Sequence, residues 1–328
     1  GAGFIGSHIV DRLVSDGCRV KVLDDLSTGS LRNIEGHLNR EGFQFMEGNI
    51  TEQSTLRKAL EGVEVVFHEA ALASIPDSME DPVRTNEVNT TGTLKLIKAS
   101  IECGVHRLIF ASSSSIYGDR ARPVRIKEDS TLNPVSPYAV SKLAAEQYCL
   151  TFTKLGKLEA VSLRYFNVYG PRQRYGPYSG VITIYHDLIR KNQPPIIYGD
   201  GEQTRDFVNV KDVVAANILA MTVRNASGEA FNIGTGHSTS IHKLAEMFTQ
   251  AGENKRLRPL GAPRRPGDVR HSCADIQKAR RILGYSPSAS LKEYINELVL
   301  RNGSSAKRAI LGKPVERKST ANYPRSVK

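Results

Sequence analysis

Gly1-Ala2-Gly3-Phe4-Ile5-Gly6 is a G-x-G-x-x-G run, and its surroundings decide how it is read. Ile5, Ile9 and Leu13 follow at helical spacing and Gly17 supplies a stop, so the glycines open a helix. They let the backbone approach a pyrophosphate, which then rests on the amide-rich helix start. The pattern by itself is common. It gains weight from Arg19 to Leu23, a strand pattern ending in Asp24-Asp25, which sets an acid about twenty residues on, where ribose hydroxyls are received. A carboxylate at Asp24 repels a 2′-phosphate, so NAD is expected rather than NADP.

Working outward, helical and strand patterns alternate: a helix from Glu52 to Leu60, a strand from Val63 to His68, a helix from Asn86 to Cys103, and strands from Arg107 to Ser112 and Val161 to Tyr165. This alternation predicts an α/β fold, a doubly wound parallel sheet of the Rossmann type with a smaller α/β substrate-binding lid. Residues 1–165 are expected to form the NAD-binding domain, with a return segment at about 206–224. Residues 166–205 and 225–301 are expected to form the lid, closed by helices at 240–251, 275–283 and 291–300. Such a sheet places a strand ahead of the glycine loop, and without it two neighbours would carry unpaired backbone groups. A natural start upstream of Gly1 is therefore expected.

At 328 residues, 40% hydrophobic and 24% charged, the chain can bury one large core or two linked ones. No apolar run approaches bilayer-spanning length, so no membrane partner is expected. Cys18, Cys103, Cys149 and Cys273 lie far apart and form no C-x-x-C pair, which argues against a zinc site or a disulfide framework. His68-Glu69 begins like a zinc-protease helix, but Leu72 stands where the second histidine belongs. No metal is expected, and reduced thiols point to the cytoplasm. The net charge of +11 raises nucleic acid as a partner, yet residues 302–328 carry seven Lys/Arg against Glu316 alone. That segment reads as a basic, disordered tail, and the remaining excess suits anionic small molecules better than nucleic acid.

Two further stretches carry chemistry. In Ser136-Pro137-Tyr138-Ala139-Val140-Ser141-Lys142, Pro137 suits a first helical turn and puts Tyr138 and Lys142 on one face. A tyrosine keeps its proton to about pH 10, and lowering that by about three units takes roughly 4 kcal/mol. One cation at roughly 4 Å supplies about that much at an effective dielectric near 20, so Lys142 alone nearly suffices to make Tyr138 a base. The strand from Arg107 runs out into Ser112-Ser113-Ser114-Ser115-Ile116-Tyr117-Gly118, where a hydroxyl at a strand's carboxyl end can donate to a sugar oxygen.

Together, the glycine loop, Asp24, the serine segment and Tyr138-x-x-x-Lys142 resemble the extended short-chain dehydrogenase/reductase family, most of all its UDP-galactose and UDP-N-acetylglucosamine 4-epimerases, from Gly1 to about Arg301. The resemblance implies a tightly held NAD, a UDP-sugar substrate and a homodimer built on helices near 86–103 and 137–155. It makes Ser113 the catalytic hydroxyl, Tyr138 the base and Lys142 a lysine that also contacts the nicotinamide ribose. It places Gly3, Phe4, Ile5, Gly6, Asp24, Asn49, Ile50, Asn89 and Tyr165 at the cofactor. Asn49 stands where the family usually has aspartate, and its amide oxygen can still meet the adenine amine. Ser74, Ser113, Ser114 and Asn167 fall at the UDP-sugar, Arg205 and Arg265 at the diphosphate, Asp268 at the uridine ribose. Ser272 faces the C2 substituent, where a small residue leaves room for N-acetylated sugars.

The reaction so implied is reversible 4-epimerisation of UDP-glucose/UDP-galactose and of UDP-GlcNAc/UDP-GalNAc through a 4-keto sugar. Rival readings are a UDP-glucuronate 4-epimerase, a 4,6-dehydratase or a decarboxylase on the same scaffold. The latter two need an extra acid beside Ser113, where the sequence has Ser114 and Ser115. A non-catalytic NAD-binding module is a third reading; its sign would be loss of the tyrosine or the lysine, and both are present.

Overall fold

The computed structural model describes residues 1–174, 180–264 and 269–304. In chain order the first half contains α1 (Phe4–Ser15), β1 (Val20–Asp24), β2 (Phe43–Glu47), α2 (Gln53–Leu60), β3 (Val65–His68), α3 (Ile75–Glu80), α4 (Pro82–Asn86), α5 (Thr93–Glu102), β4 (Arg107–Ser113) and α6 (Pro137–Lys154). The second half contains β5 (Glu159–Tyr165), β6 (Asn167–Tyr169), α7 (Val181–Arg190), β7 (Ile196–Tyr198), β8 (Thr204–Arg205), β9 (Phe207–Asn209), α8 (Val210–Thr222), β10 (Ala230–Ile233), β11 (Thr239–Ser240), α9 (Ile241–Ala251), β12 (Leu260–Ala262), α10 (Gln277–Leu283) and α11 (Leu291–Ser304).

The larger sheet is parallel, in the order β10-β5-β4-β3. Its central strands are buried almost throughout, as expected for parallel strands covered on both faces. On one face Ile109, Val161 and Phe231 pack with Val213 and Ala216 of α8 and Ala279 and Leu283 of α10. On the other, Leu108, Phe110 and Ala160 pack with Leu56 of α2, Ile97 of α5 and Ala145 and Cys149 of α6. Helices on both faces make the fold doubly wound. A separate core built on Tyr185, Ile197, Phe207, Leu244, Phe248 and Ile295 forms the lid.

Strands β1 and β2 pair with each other but not with β3. Between β1 and β3 lies a cavity of about 760 Å³, lined by Val20, Val22, Val65 and Phe67 among others. The parallel sheet thus stands in two pieces.

Several boundaries differ from expectation. Ala230–Ile233 hydrogen-bonds to β5, so this part of 225–301 extends the nucleotide-binding sheet rather than the lid. Ile276, Ala279, Leu283 and Tyr285 join the same core, because α10 closes over β10. The helix expected over Asn86 to Cys103 is interrupted by a π-helical turn at Glu87–Gly92. The last helix runs to Ser304, so 302–304 are helical, and the rest of the expected tail lies outside the described residues.

Candidate active site

The carboxyl ends of β3, β4 and β5 gather three side chains beside the first turn of α6. Ser113 ends β4 opposite Tyr165 at the end of β5. Ser136 caps α6, its Oγ accepting from the Ala139 amide at 3.2 Å, and Pro137 holds the first turn. This start fixes Tyr138 within the first turn and Lys142 one turn later. Lys142 is 3% exposed, with its ammonium 4.7 Å from the centroid of the Phe110 ring. The Ser113 side chain is within hydrogen-bonding reach of the Tyr138 phenol, and its Oγ also accepts from the Ser115 amide at 3.2 Å.

The electrostatics correct the sequence arithmetic. Burial raises the Tyr138 phenol above its ordinary value; the Ser113 bond pulls the other way, and the Glu69 carboxylate pushes it further up. Burial lowers Lys142 to about 8, opposed chiefly by Glu69. Burial thus sets the direction at Tyr138, and the group that lowers it is Ser113, not Lys142 as the spacing predicts. With a value of about 8, Lys142 remains mostly protonated at pH 7.

Glu69 is the residue the sequence reading passed over. It follows β3, and its Oε1 accepts from the Tyr165 hydroxyl at 2.8 Å. Only the failed zinc pattern drew notice to it, because its role depends on a tyrosine far along the chain.

The glycine loop fits a dinucleotide. Gly3 is the N-cap of α1, no side chain caps that helix and no acid stands in its first turn, so the amides of Phe4, Ile5 and Gly6 present a positive helix end. A Cβ on Gly6 would come within 3.1 Å of the Gly1 backbone, whereas nothing stands within 4 Å of one on Gly3. Asp24 Oδ2 accepts from the backbone nitrogens of Gly1 and Ala2 at 2.8 Å each, and Oδ1 accepts from the Leu26 amide at 2.9 Å. The carboxylate ties the loop to β1, and Oδ1 keeps a lone pair for a ribose hydroxyl.

The remaining expected residues divide into groups. Asn49 Oδ1 accepts from the Thr51 amide and hydroxyl at 2.9 and 2.8 Å, so presenting that oxygen to an adenine amine requires the Thr51 hydroxyl to let go. Ile50 is buried nearby in the core under α2. Asn89, on the π-helical turn, clasps Leu72 by both backbone groups (2.8 and 3.0 Å) and donates to Ser141 Oγ at 3.0 Å. It fixes the loop after β3 against α6. Ser74 caps α3, and Ser114 opens the short turn Ser114–Tyr117.

In the lid, Asn167 is exposed on β6. Arg205 lies on β8, its Nη1 donating to the Thr204 carbonyl at 2.8 Å. The Ser272 amide donates to that same carbonyl at 3.2 Å, which places Arg205 and the buried Ser272 side by side. A cavity of about 260 Å³ opens among Tyr198, Asp200, Arg264 and Arg270. Its wall includes a two-pronged Arg270–Asp200 pair at 2.6 and 2.8 Å, which sequence reasoning did not foresee. Arg265 and Asp268 lie outside the described residues.

A buried network lies behind the first turns of α6 and the end of β4. Glu146, one turn beyond Lys142, accepts from Arg164 Nη2 at 2.6 Å and Ser162 Oγ at 2.9 Å. Arg164 Nη1 reaches the Tyr117 hydroxyl at 2.7 Å, and that hydroxyl donates to Asn232 at 2.7 Å. Helix α6 and the serine segment are thus fixed to β5 and β10. Among the described residues no group of three His, Cys, Asp or Glu side chains is arranged to hold a metal ion, and no helix is long and apolar enough to cross a membrane.

Comparison with known proteins agrees with this geometry. Residues 1–234 match the family described as NAD dependent epimerase/dehydratase. A putative UDP-glucose 4-epimerase of Methanocaldococcus jannaschii is 39% identical over 91% of this chain and 95% of its own. The crystal structure of UDP-glucose 4-epimerase from Thermotoga maritima, with UDP-glucose, superposes with a TM-score of 0.85 at 39% identity, covering 92% of this chain and 96% of that one. A UDP-N-acetyl-alpha-D-glucosaminuronate decarboxylase of Bacillus cytotoxicus is 30% identical over 91% of this chain and 94% of its own, so likeness alone spans more than one reaction. This chain is therefore a member of the NAD-dependent epimerase/dehydratase family and an enzyme that uses NAD.

Proposed function

We propose that the chain interconverts UDP-hexoses that differ at C4, UDP-glucose with UDP-galactose and UDP-GlcNAc with UDP-GalNAc, through a 4-keto sugar. The supporting observation is that Ser113, at the end of β4, lowers the Tyr138 phenol on α6, with Lys142 buried one turn further along the same helix. NAD, when bound, supplies the acceptor for the two electrons leaving C4 and returns them. Tyr138 removes the proton of the 4-hydroxyl and later gives it back. Ser113 holds the same oxygen in line, and the Lys142 ammonium is the nearby cation that favours a phenolate.

For the configuration to invert, the keto sugar must show its other face while UDP stays gripped. Arg205 is assigned to the diphosphate and Asn167 to the UDP-sugar, with Arg265 and Asp268, outside the described residues, expected at the diphosphate and the uridine ribose. Ser272, small and buried, leaves space for an acetamido group at C2. A homodimer fits exposed apolar side chains on three helices that pack together: Met79 on α3, Val83 on α4, and Val140 and Tyr148 on α6, at 64%, 76%, 51% and 40% exposure.

The test is incubation with UDP-glucose, UDP-GlcNAc and UDP-glucuronate separately, followed by NMR. The 4-epimers of the first two are expected. A 4-keto-6-deoxy sugar or released carbon dioxide would replace this reading with a dehydratase or a decarboxylase.

A further inference from the structure

We propose that Glu69 is a positioning residue for the Tyr138–Lys142 pair: its carboxylate, anchored by Tyr165, is the counter-charge that sets the pH range over which the pair works. The proposal rests on the reading of Tyr138 as the base.

The geometry comes from three adjacent strand ends. His68, the last residue of β3, is aligned with Phe110 of β4, and the Lys142 ammonium lies over the Phe110 ring. The next residue on β3's path is Glu69. Two strands away, Tyr165 stands opposite Ser113 and donates its proton to Glu69 at 2.8 Å. The Tyr165 oxygen in turn accepts from Asn217 Nδ2 at 2.7 Å, and the same amide group donates to the Val213 carbonyl at 2.9 Å. Tyr165 therefore has its proton and an acceptor site committed. It acts as a strut from α8 to Glu69 rather than as a free acid.

The groups acting on this carboxyl are Tyr138 and Lys142 from α6 and Tyr165 from β5. On its own strand, His68 is buried, bonded to Thr93 Oγ1 at 2.8 Å and lowered to about 3, so it stays neutral. Burial raises Glu69 above the usual carboxyl range, against the pull of Tyr165 and Lys142. Glu69 in turn supports the charge on Lys142 and opposes ionisation of Tyr138. Groups that act on one another in this way titrate as a unit. Neutralising the carboxylate makes it easier for Tyr138 to lose its proton, and for Lys142 as well. Both limbs of the activity profile should then move in the same direction, towards acid.

The experiment is the pH dependence of kcat for the NAD-loaded enzyme with saturating UDP-glucose, in wild type, Glu69→Gln, Glu69→Asp and Tyr165→Phe. Glu69→Gln is expected to move both limbs down by about one pH unit. Glu69→Asp, which keeps the charge, should restore the profile towards wild type. Tyr165→Phe keeps the ring but removes the strut, so it should move the limbs the same way by less; it also serves if the Gln variant does not fold. Limbs unmoved in Glu69→Gln, or in Tyr165→Phe where that variant stands in, would overturn the proposal whatever happens to the rate. Tyr138→Phe, run alongside, separates the two ideas: near-normal activity there would overturn the base itself, whereas its loss with unmoved limbs in Glu69→Gln removes only the role of Glu69.

Discussion

Replacing Glu146 by Gln tests whether the buried network behind the catalytic helix carries the stability its geometry implies. Glu146 is 0% exposed and takes bonds from Arg164 Nε at 3.1 and 3.2 Å, Arg164 Nη2 at 2.6 Å and Ser162 Oγ at 2.9 Å. Gln keeps the shape but removes the charge and turns an amide donor towards a guanidinium. Arg164 is 4% exposed, so its charge would be left uncompensated in the interior. Breaking a buried pair from one side costs about 3–5 kcal/mol, a large share of a typical total of about 5–15 kcal/mol. The damage should spread, because Arg164 also holds Tyr117 and the Glu128 carbonyl at 2.7 and 2.8 Å. The assay is urea unfolding at pH 7, with thermal unfolding as a second probe. The midpoint should fall sharply with little change in slope. Replacing both partners with apolar residues of similar volume, Glu146→Leu with Arg164→Met, should recover much of the loss, since no charge is then stranded. A cost below about 1 kcal/mol for Glu146→Gln, the size of an exposed pair, would refute the reasoning.

Lys142 offers a test with a defined sign. Its folded value of about 8 lies below its ordinary 10.5, so the unfolded chain binds the proton more tightly between those limits. The burden of the buried charge is present in full below about pH 8 and is relieved as pH rises to 10.5. Lys142→Met is therefore expected to stabilise the protein at pH 7, by up to about 3 kcal/mol, and by much less at pH 10, while removing activity; equal effects at both pH values in urea titrations would count against it. Ser272→Tyr should cut kcat/KM for UDP-GlcNAc at least tenfold more than for UDP-glucose, the scale of about 1.4 kcal/mol of selective clash; equal losses on the two sugars would remove Ser272 from the C2 pocket.

What the sequence disclosed depended on how local each signal was. The start of α1 and the pairing of Tyr138 with Lys142 lie within one or two helical turns, so spacing reveals them. Strand β4 reads clearly from the run Leu108-Ile109-Phe110-Ala111, and β5 from Ala160, Val161 and Leu163, which follow within one short segment. Ala230–Ile233 is a four-residue strand whose partner lies some seventy residues earlier, and no local pattern separates it from the lid. The short β2, Phe-Gln-Phe-Met-Glu, is half-buried and pairs on one side only, which leaves little periodicity to read. The π-helical turn at Glu87–Gly92 hides within a helical pattern because it changes the phase, not the composition. Glu69 and Tyr165 are 96 residues apart, so their bond exists only in the folded chain. The same holds for the acidity of Tyr138: a nearby lysine can be counted from spacing, but the burial that raises the phenol cannot.

The most direct test of the account is the rate of C4 epimerisation of UDP-glucose by Tyr138→Phe, followed by NMR with the NAD-loaded enzyme and compared with wild type under saturating substrate. Loss of a positioned general base predicts a fall of about 10²- to 10⁴-fold in kcat, with the fold and NAD binding retained. A rate within tenfold of wild type would show that the proton leaves the 4-hydroxyl by another route, and that Tyr138 is a wall of the cleft rather than its base.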